Sequence, residues 1–224
     1  MSVSREVRVV FLGPPGAGKG TQARLLDERF GARAISTGDL LRRHRRERTV
    51  LGLEAQSYME AGKLVPDALV LAMMEGEIAT SPSFVLDGFP RTQGQARALD
   101  GILERLGRPL DAVVLFELPR ALLLERLLGR WTNPRSGRVY HEKFAPPQVA
   151  GLDDDDGLPL EQRSDDRAEA IERRLAEYDA ITAELIPYYE ARGLLRRIDA
   201  ALGVDEVSAE LFALVERDER SPTR

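Results

Sequence analysis

Gly13-Pro14-Pro15-Gly16-Ala17-Gly18-Lys19-Gly20-Thr21 is the stretch that decides the fold. An apolar run at 7–12 leads into it and a helical pattern at 18–29 leads out. Glycines let backbone N–H groups turn inward around an anion, the start of a helix adds its positive end, and a lysine supplies a mobile charge. Strand, glycine-rich turn and helix in that order is the context a phosphate-binding loop (P-loop) requires. One position departs from the general pattern. A Ser or Thr that holds Mg2+ usually follows the lysine. Here Gly20 follows it, and the hydroxyl comes one residue later at Thr21. The metal is then expected to be held through water and a carboxylate. Asp87, ending the apolar run that begins at Phe84, is the candidate.

Outward from this loop, short apolar runs at 7–12, 84–86, 112–118 and 194–198 alternate with helical patterns. The patterns fall at 18–29, 39–48, 52–61, 67–80, 92–106, 120–128, 166–192 and 204–215. In the longest, Ile171, Leu175, Tyr178, Ile181, Leu185 and Tyr189 recur every three or four residues, so one helix is expected, kinked at Pro187. Strands alternating with helices predict an α/β fold with a parallel sheet. Residues 131–163 break the rhythm with turn dipeptides and the acidic run Asp153 to Asp156. A structureless loop of that length is unusual in a compact domain, so a small inserted β-lobe or a mobile lid is expected.

Composition sets the outer bounds. The chain has 224 residues, 43% hydrophobic and 31% charged, enough for one full core. It contains no cysteine, which excludes disulfides, thiolate metal sites and cysteine nucleophiles. No apolar run is long enough to span a membrane, and the start of the chain does not read as a signal peptide. A cytoplasmic protein is expected. The net charge of −5 argues against a nucleic-acid partner. All but three of the 32 basic residues are arginine; the lysines are Lys19, Lys63 and Lys143.

Further motifs follow the loop in order: Ile35-Ser36-Thr37-Gly38-Asp39-Leu40-Leu41-Arg42, then Gly62-Lys63-Leu64-Val65-Pro66-Asp67, then Phe84-Val85-Leu86-Asp87-Gly88-Phe89-Pro90-Arg91-Thr92. Later come Gly129-Arg130, Ser136-Gly137-Arg138-Val139-Tyr140-His141 and Arg163-x-Asp165-Asp166. Together these resemble the adenylate kinase family, in its bacterial long-lid form, over residues 7–215. The resemblance implies a P-loop NTPase three-layer sandwich with a five-stranded parallel sheet, a helical AMP-binding lobe and a small β-rich lid. The implied core is 1–35, 66–128 and 167–224, the AMP lobe 36–65 and the lid 129–166. The implied reaction is reversible transfer of a phosphoryl group from ATP to AMP, giving two ADP, with Mg2+ near Asp87. A monomer is implied as well.

The resemblance also nominates residues. Lys19, Arg91, Arg130, Arg163 and Arg174 are the implied catalytic cations; Arg42 joins them on the AMP phosphate, which Arg91, Arg163 and Arg174 also meet. That gathers six cations against about six phosphate charges. The implied ATP site is Gly16, Ala17, Gly18, Lys19, Gly20 and Thr21, with Arg126 against the base and Val139, Tyr140 and Leu202 nearby. The implied AMP site is Thr37, Lys63, Leu64, Val65, Gly88, Phe89, Pro90 and Gln95, whose amide can pair with both N6 and a ring nitrogen of adenine. Of the run Arg42, Arg43, Arg45, Arg46 and Arg48, only the first matches; the others read as an exposed helix face. His141 reads as packing within the lid.

Three alternatives remain open at this stage: a kinase for UMP or CMP or one using GTP, a P-loop switch or hydrolase, and a non-catalytic nucleotide sensor. The switch lacks an Asn-Lys-x-Asp base reader. One spacing is a puzzle in its own right. Asn133-x2-Ser136 and Asp153-x2-Asp156 form the ladder of a two-knuckle zinc site. Its rungs are an amide, a hydroxyl and two carboxylates, not the thiolates or imidazoles structural zinc prefers. A lid without zinc, pinned by side-chain hydrogen bonds, is expected.

Overall fold

The structure, a computed structural model, describes residues 6–60, 65–162, 166–182 and 184–216. Strands β1 (Arg8–Leu12), β2 (Arg33–Ser36), β3 (Phe84–Asp87), β4 (Ala112–Glu117) and β7 (Leu195–Asp199) form one parallel sheet in the order β2-β3-β1-β4-β7. In β1, Val9 and Phe11 enter one apolar cluster while Val10 and Leu12 enter the other. In β4, Ala112, Val114 and Phe116 join the first and Val113 and Leu115 the second. Alternate side chains of a strand point to opposite faces, so continuous apolar runs are what a sheet covered on both sides requires.

Helices supply the two covers. On one face lie α1 (Lys19–Phe30), α6 (Arg120–Leu128), α7 (Ala168–Thr182) and α9 (Val204–Glu216), through Leu26, Leu127, Ile171 and Leu211. On the other lie α4 (Asp67–Thr80), α5 (Gln93–Leu106) and α8 (Leu185–Glu190), through Met74, Leu99 and Tyr189. The result is a three-layer α/β fold.

Two segments add no strand to this sheet. Helices α2 (Thr37–Arg46) and α3 (Val50–Glu60) lie between β2 and α4. After α6, β5 (Arg130–Thr132) and β6 (Val139–His141) pair as an antiparallel ribbon. Single bridges at Thr132–Glu161, His141–Ala145 and Leu152–Pro159 extend it. The two segments face one another across a cleft of about 520 Å3 lined by Ser36, Asp39 and Arg43 on one side and Asn133 to Gly137 on the other.

The expected single helix at 166–192 is corrected: the structure has two, α7 and α8, with Glu184 between them in a turn. Proline lacks an N–H and its ring crowds the carbonyl four residues back. Pro187 therefore sits in the first turn of α8, where no intrahelical N–H bond is needed. β2 was absent from the apolar runs because it is a short edge strand with Arg33 and Ala34 exposed.

Candidate active site

In an open parallel sheet, ligands bind beyond the carboxyl ends of the strands, where strand order reverses. Here that is the crevice between β1 and β3. The glycine-rich loop leaves β1 and Asp87 ends β3, its backbone in register with Phe11. Gly16 adopts φ +86°, and a Cβ there would lie 2.9 Å from Leu127 Cγ, so only glycine allows both the turn and the packing on α6. Gly18, also left-handed, caps α1, and Ala17 is buried beside it. Gly20 opens towards Asp87, whose Oδ2 lies 3.8 Å from where a Cβ would stand.

Lys19 donates from Nζ to the carbonyls of Gly13 (2.7 Å) and Pro14 (2.9 Å). Burial pushes its pKa below the usual 10.5, Asp87 opposes this, and Arg91, Arg174 and Arg130 push in the same direction as burial. Four cations contributed by the loop, β3's exit, the ribbon and α7 therefore share one field. Asp166, fully buried at its side chain, holds two of them together. It accepts from Arg130 Nε at 2.7 Å and from Arg130 Nη2, and from Arg174 Nη1 at 3.4 Å. Arg91 donates from Nε to the Gly88 carbonyl at 2.9 Å.

Among the residues implied for AMP, the buried Thr37 donates its hydroxyl to the Gly88 carbonyl at 2.9 Å. The Phe89–Pro90 peptide is cis. Thr92 caps α5 by accepting from the Gln95 backbone N–H at 3.1 Å. Gln95 is itself buried, which departs from a helix-surface glutamine. Its Oε1 accepts from the Arg91 backbone N–H at 2.8 Å and its Nε2 donates to Asp67 Oδ1 at 2.6 Å. Val65 packs against the apolar cluster beneath α4.

Among the residues implied for the ATP base, Arg126 donates to the Ala200 carbonyl at 2.8 Å, and its guanidinium stands 5.8 Å from the Phe144 ring. Leu202 and Val139 are exposed nearby in sequence to these partners, whereas Tyr140 is buried and its hydroxyl accepts from the Asp154 N–H. His141 fastens the ribbon to α6. Its Nδ1 accepts from the N–H groups of Lys143 and Phe144, which leaves Nε2 to donate to the Glu125 carbonyl at 3.2 Å. A Cβ on Gly129 would meet that imidazole at 2.5 Å.

Lys63, Leu64 and Arg163 lie outside the described residues, and the Arg42 side chain is likewise not described. Arg43 corrects the exposed-face reading of its run: it is only partly exposed and pairs with Glu77, which also pairs with Arg33. Arg46 and Arg48 are exposed as expected.

The zinc-like ladder folds as two polar knuckles. Asn133 Oδ1 accepts from the N–H groups of Arg135 and Ser136, and Asp153 Oδ1 from those of Asp155 and Asp156. Asn133 Nδ2 joins the knuckles by donating to Asp156 Oδ1 at 2.9 Å. Burial alone would raise the Asp153 carboxyl; the N–H groups of Asp155 and Asp156, with Asn133 and Tyr140, outweigh it and hold the pKa at about 2. Asp153 Oδ2 makes no hydrogen bond, so the influence of Asn133 and Tyr140 is that of nearby dipoles.

Sequence reasoning missed a support beneath the P-loop helix. The buried Gln22 donates from Nε2 to the Val204 carbonyl at 3.1 Å, and Ser208 donates to Gln22 Oε1 at 3.0 Å. This ties the start of α1 to the turn that carries Ala200 and Leu202.

With this geometry in view, comparison with known proteins is decisive. The adenylate kinase family model matches residues 11–194. The chain belongs to the adenylate kinase family. It is 45% identical to an adenylate kinase of Geobacter sulfurreducens, with 94% of this chain and 98% of the relative covered. It is 47% identical to one of Carboxydothermus hydrogenoformans, covering 92% and 97%. An adenylate kinase 4 of Arabidopsis thaliana is 44% identical, covering 91% and 84%. Membership in the family accounts for the five-stranded parallel sheet and for a P-loop at the carboxyl end of its first strand.

Proposed function

We propose that this protein transfers the terminal phosphoryl group of ATP to AMP, reversibly, giving two ADP. The observation that carries the reading is the convergence of Lys19, Arg91, Arg130 and Arg174 at the mouth of the P-loop. An oxygen of the AMP phosphate attacks the γ-phosphorus while the bond to the bridging β–γ oxygen breaks, so the leaving group is ADP and the product is a second ADP. Phosphoryl transfer gives a protein little covalent work, so catalysis is positioning and charge stabilisation. Lys19 follows the moving charge, and Arg130 and Arg174 exchange Asp166 for phosphate oxygens. Closing residues 129–166 over residues 36–65 excludes water, which would otherwise replace AMP as acceptor. Arg42 and Arg163 complete the cage in this reading. The core that the resemblance implies, 1–35, 66–128 and 167–224, is the body on which those segments close in this reading.

Arg126 supports the base of ATP beside Val139, Tyr140 and Leu202, and Gln95 reads the base of AMP beside Thr37, Lys63, Leu64 and Val65. Among the described residues no group of three or more His, Asp or Glu side chains could hold a metal by itself. Asp87 would be the water-mediated partner of an Mg2+ ion brought by the nucleotide, which would supply neutralisation of phosphate charge there. The knuckles of the lid hold no zinc in this reading. The protein is a cytoplasmic monomer acting on nucleotides and on neither nucleic acid nor membrane; no described helix is long and apolar enough to cross a membrane.

A coupled assay with MgATP and each monophosphate in turn tests the function. AMP is the expected acceptor, well ahead of GMP, CMP and UMP. Equal turnover with CMP or UMP would move the assignment to a pyrimidine kinase, and hydrolysis without any acceptor would move it to an ATPase.

A further inference from the structure

A glutamine amide does not by itself distinguish the bases it is expected to read. A 6-aminopurine presents a donor at N6 beside an acceptor at N1. A 6-oxopurine presents an acceptor at O6 beside a donor at N1. Rotating the amide by half a turn exchanges its own donor and acceptor, so a freely turning Gln95 would serve both. Gln95 is not free to turn. A carboxylate only accepts, so Asp67 Oδ1, at 2.6 Å, requires the Nε2 end. A backbone N–H only donates, so Arg91 N, at 2.8 Å, requires the Oε1 end. The two neighbours impose the same orientation, and that orientation follows from their chemistry rather than from the resemblance of amide oxygen and nitrogen in a structure. One N–H and one carbonyl lone pair are left over, in a fixed order.

We propose that Asp67 is a specificity-determining positioning residue: it locks the Gln95 amide so that the acceptor site takes 6-aminopurine monophosphates and rejects 6-oxopurine ones. This rests on Gln95 reading the AMP base. Asp67 lies at the exposed start of α4 and reaches across to α5, so the lock joins two helices without entering the core. In the locked site a 6-oxopurine sets its N1–H against an N–H and its O6 against a carbonyl. Leaving buried polar groups so mismatched is how a hydrogen-bonding site rejects an analogue. The same bonds also secure the start of α5, and a purely structural role would weaken every acceptor alike.

The test compares AMP with IMP, which differs in the 6-substituent and the N1 proton and lacks the 2-amino group of GMP. Asp67→Asn keeps size and shape but can either accept or donate, and Asp67→Ser does the same with a smaller group. For both, the ratio of kcat/KM for AMP over IMP should fall about tenfold or more, the scale of a hydrogen bond to a charged group, with KM for ATP unchanged. Gln95→Leu is measured alongside. A ratio that collapses in Gln95→Leu but holds in both folded Asp67 variants overturns the role of Asp67 and leaves the base reading standing. A ratio that holds in Gln95→Leu as well overturns the base reading itself.

Discussion

Lys19 carries an ammonium that burial disfavours and two backbone carbonyls retain. Its folded pKa lies below the unfolded value of 10.5. The native state therefore binds fewer protons than the unfolded chain between those two values, and stability rises with pH across that window. At neutral pH the charged lysine is a burden on folding that nucleotide phosphates relieve. Lys19→Met should thus leave the melting temperature of the nucleotide-free protein within a few degrees of the parent, or above it, while kcat falls by about 10^2–10^3 or more. Scanning calorimetry and the coupled assay on one preparation check both halves; comparable turnover in the variant would remove Lys19 from the mechanism. Its position was legible because the P-loop is contiguous in sequence. Gln95 stood out in sequence as a candidate base reader, but its bond to Asp67 did not: Asp67 is 28 residues away, and nothing in the spacing shows that α4 and α5 start side by side.

Elements meet the site through two supports that differ in how they fail. The first is the Gln22–Ser208–Val204 network between α1 and α9, whose members are 182 and 186 residues apart. No local pattern announces such a pair, and Gln22 read from sequence is only a residue after the P-loop. Gln22→Leu removes both glutamine bonds but leaves the Ser208 hydroxyl donating to the Val204 carbonyl at 2.7 Å, so a loss of only about 0.5–1.5 kcal/mol in denaturant unfolding is expected. KM for ATP should rise more than KM for AMP, because the displaced turn carries the carbonyl that orients Arg126; equal changes in both would show that the turn does not serve the donor. The second is the ribbon, where the only tryptophan, Trp131, donates to Glu142 at 2.9 Å. Asp153, with its pKa held at about 2 against an ordinary 3.8, adds stability that is complete above about pH 4 and is lost as pH falls towards 2. Trp131 emission should therefore report loosening of the knuckles across that window. Asp153→Asn should abolish this step, and a titration identical in variant and parent would place the acid sensitivity elsewhere. The knuckles were visible as a spacing, but their polarity made the outcome a matter of hydrogen bonds that only the fold arranges.

Over the whole molecule, the alternation of apolar runs and helical patterns was enough for a parallel α/β sheet, because β1 and β4 are buried on both faces and read as unbroken apolar stretches. It was not enough for strand count or for the break between α7 and α8. β2 has the composition of an edge, and the periodic pattern of 166–192 runs unbroken through a boundary that Pro187 dictates. The segment at 131–163 was set apart by its break in rhythm and the one at 36–65 only by the resemblance, and their facing arrangement across one cleft lies in the fold, which sequence patterns do not encode. One consequence of the polar knuckles reaches beyond the fold. A chain with no cysteine, fastened at its ribbon by amides and carboxylates, has no thiolate for an oxidant to attack and no thiolate-bound ion for a chelator to extract. Melting of the nucleotide-free protein should be the same before and after treatment with EDTA, and the same after disulfide-forming oxidants; a fall of several degrees on chelation would place a metal within the fold. Such a catalyst offers oxidative stress and metal starvation no thiolate fastening through which to loosen its ribbon.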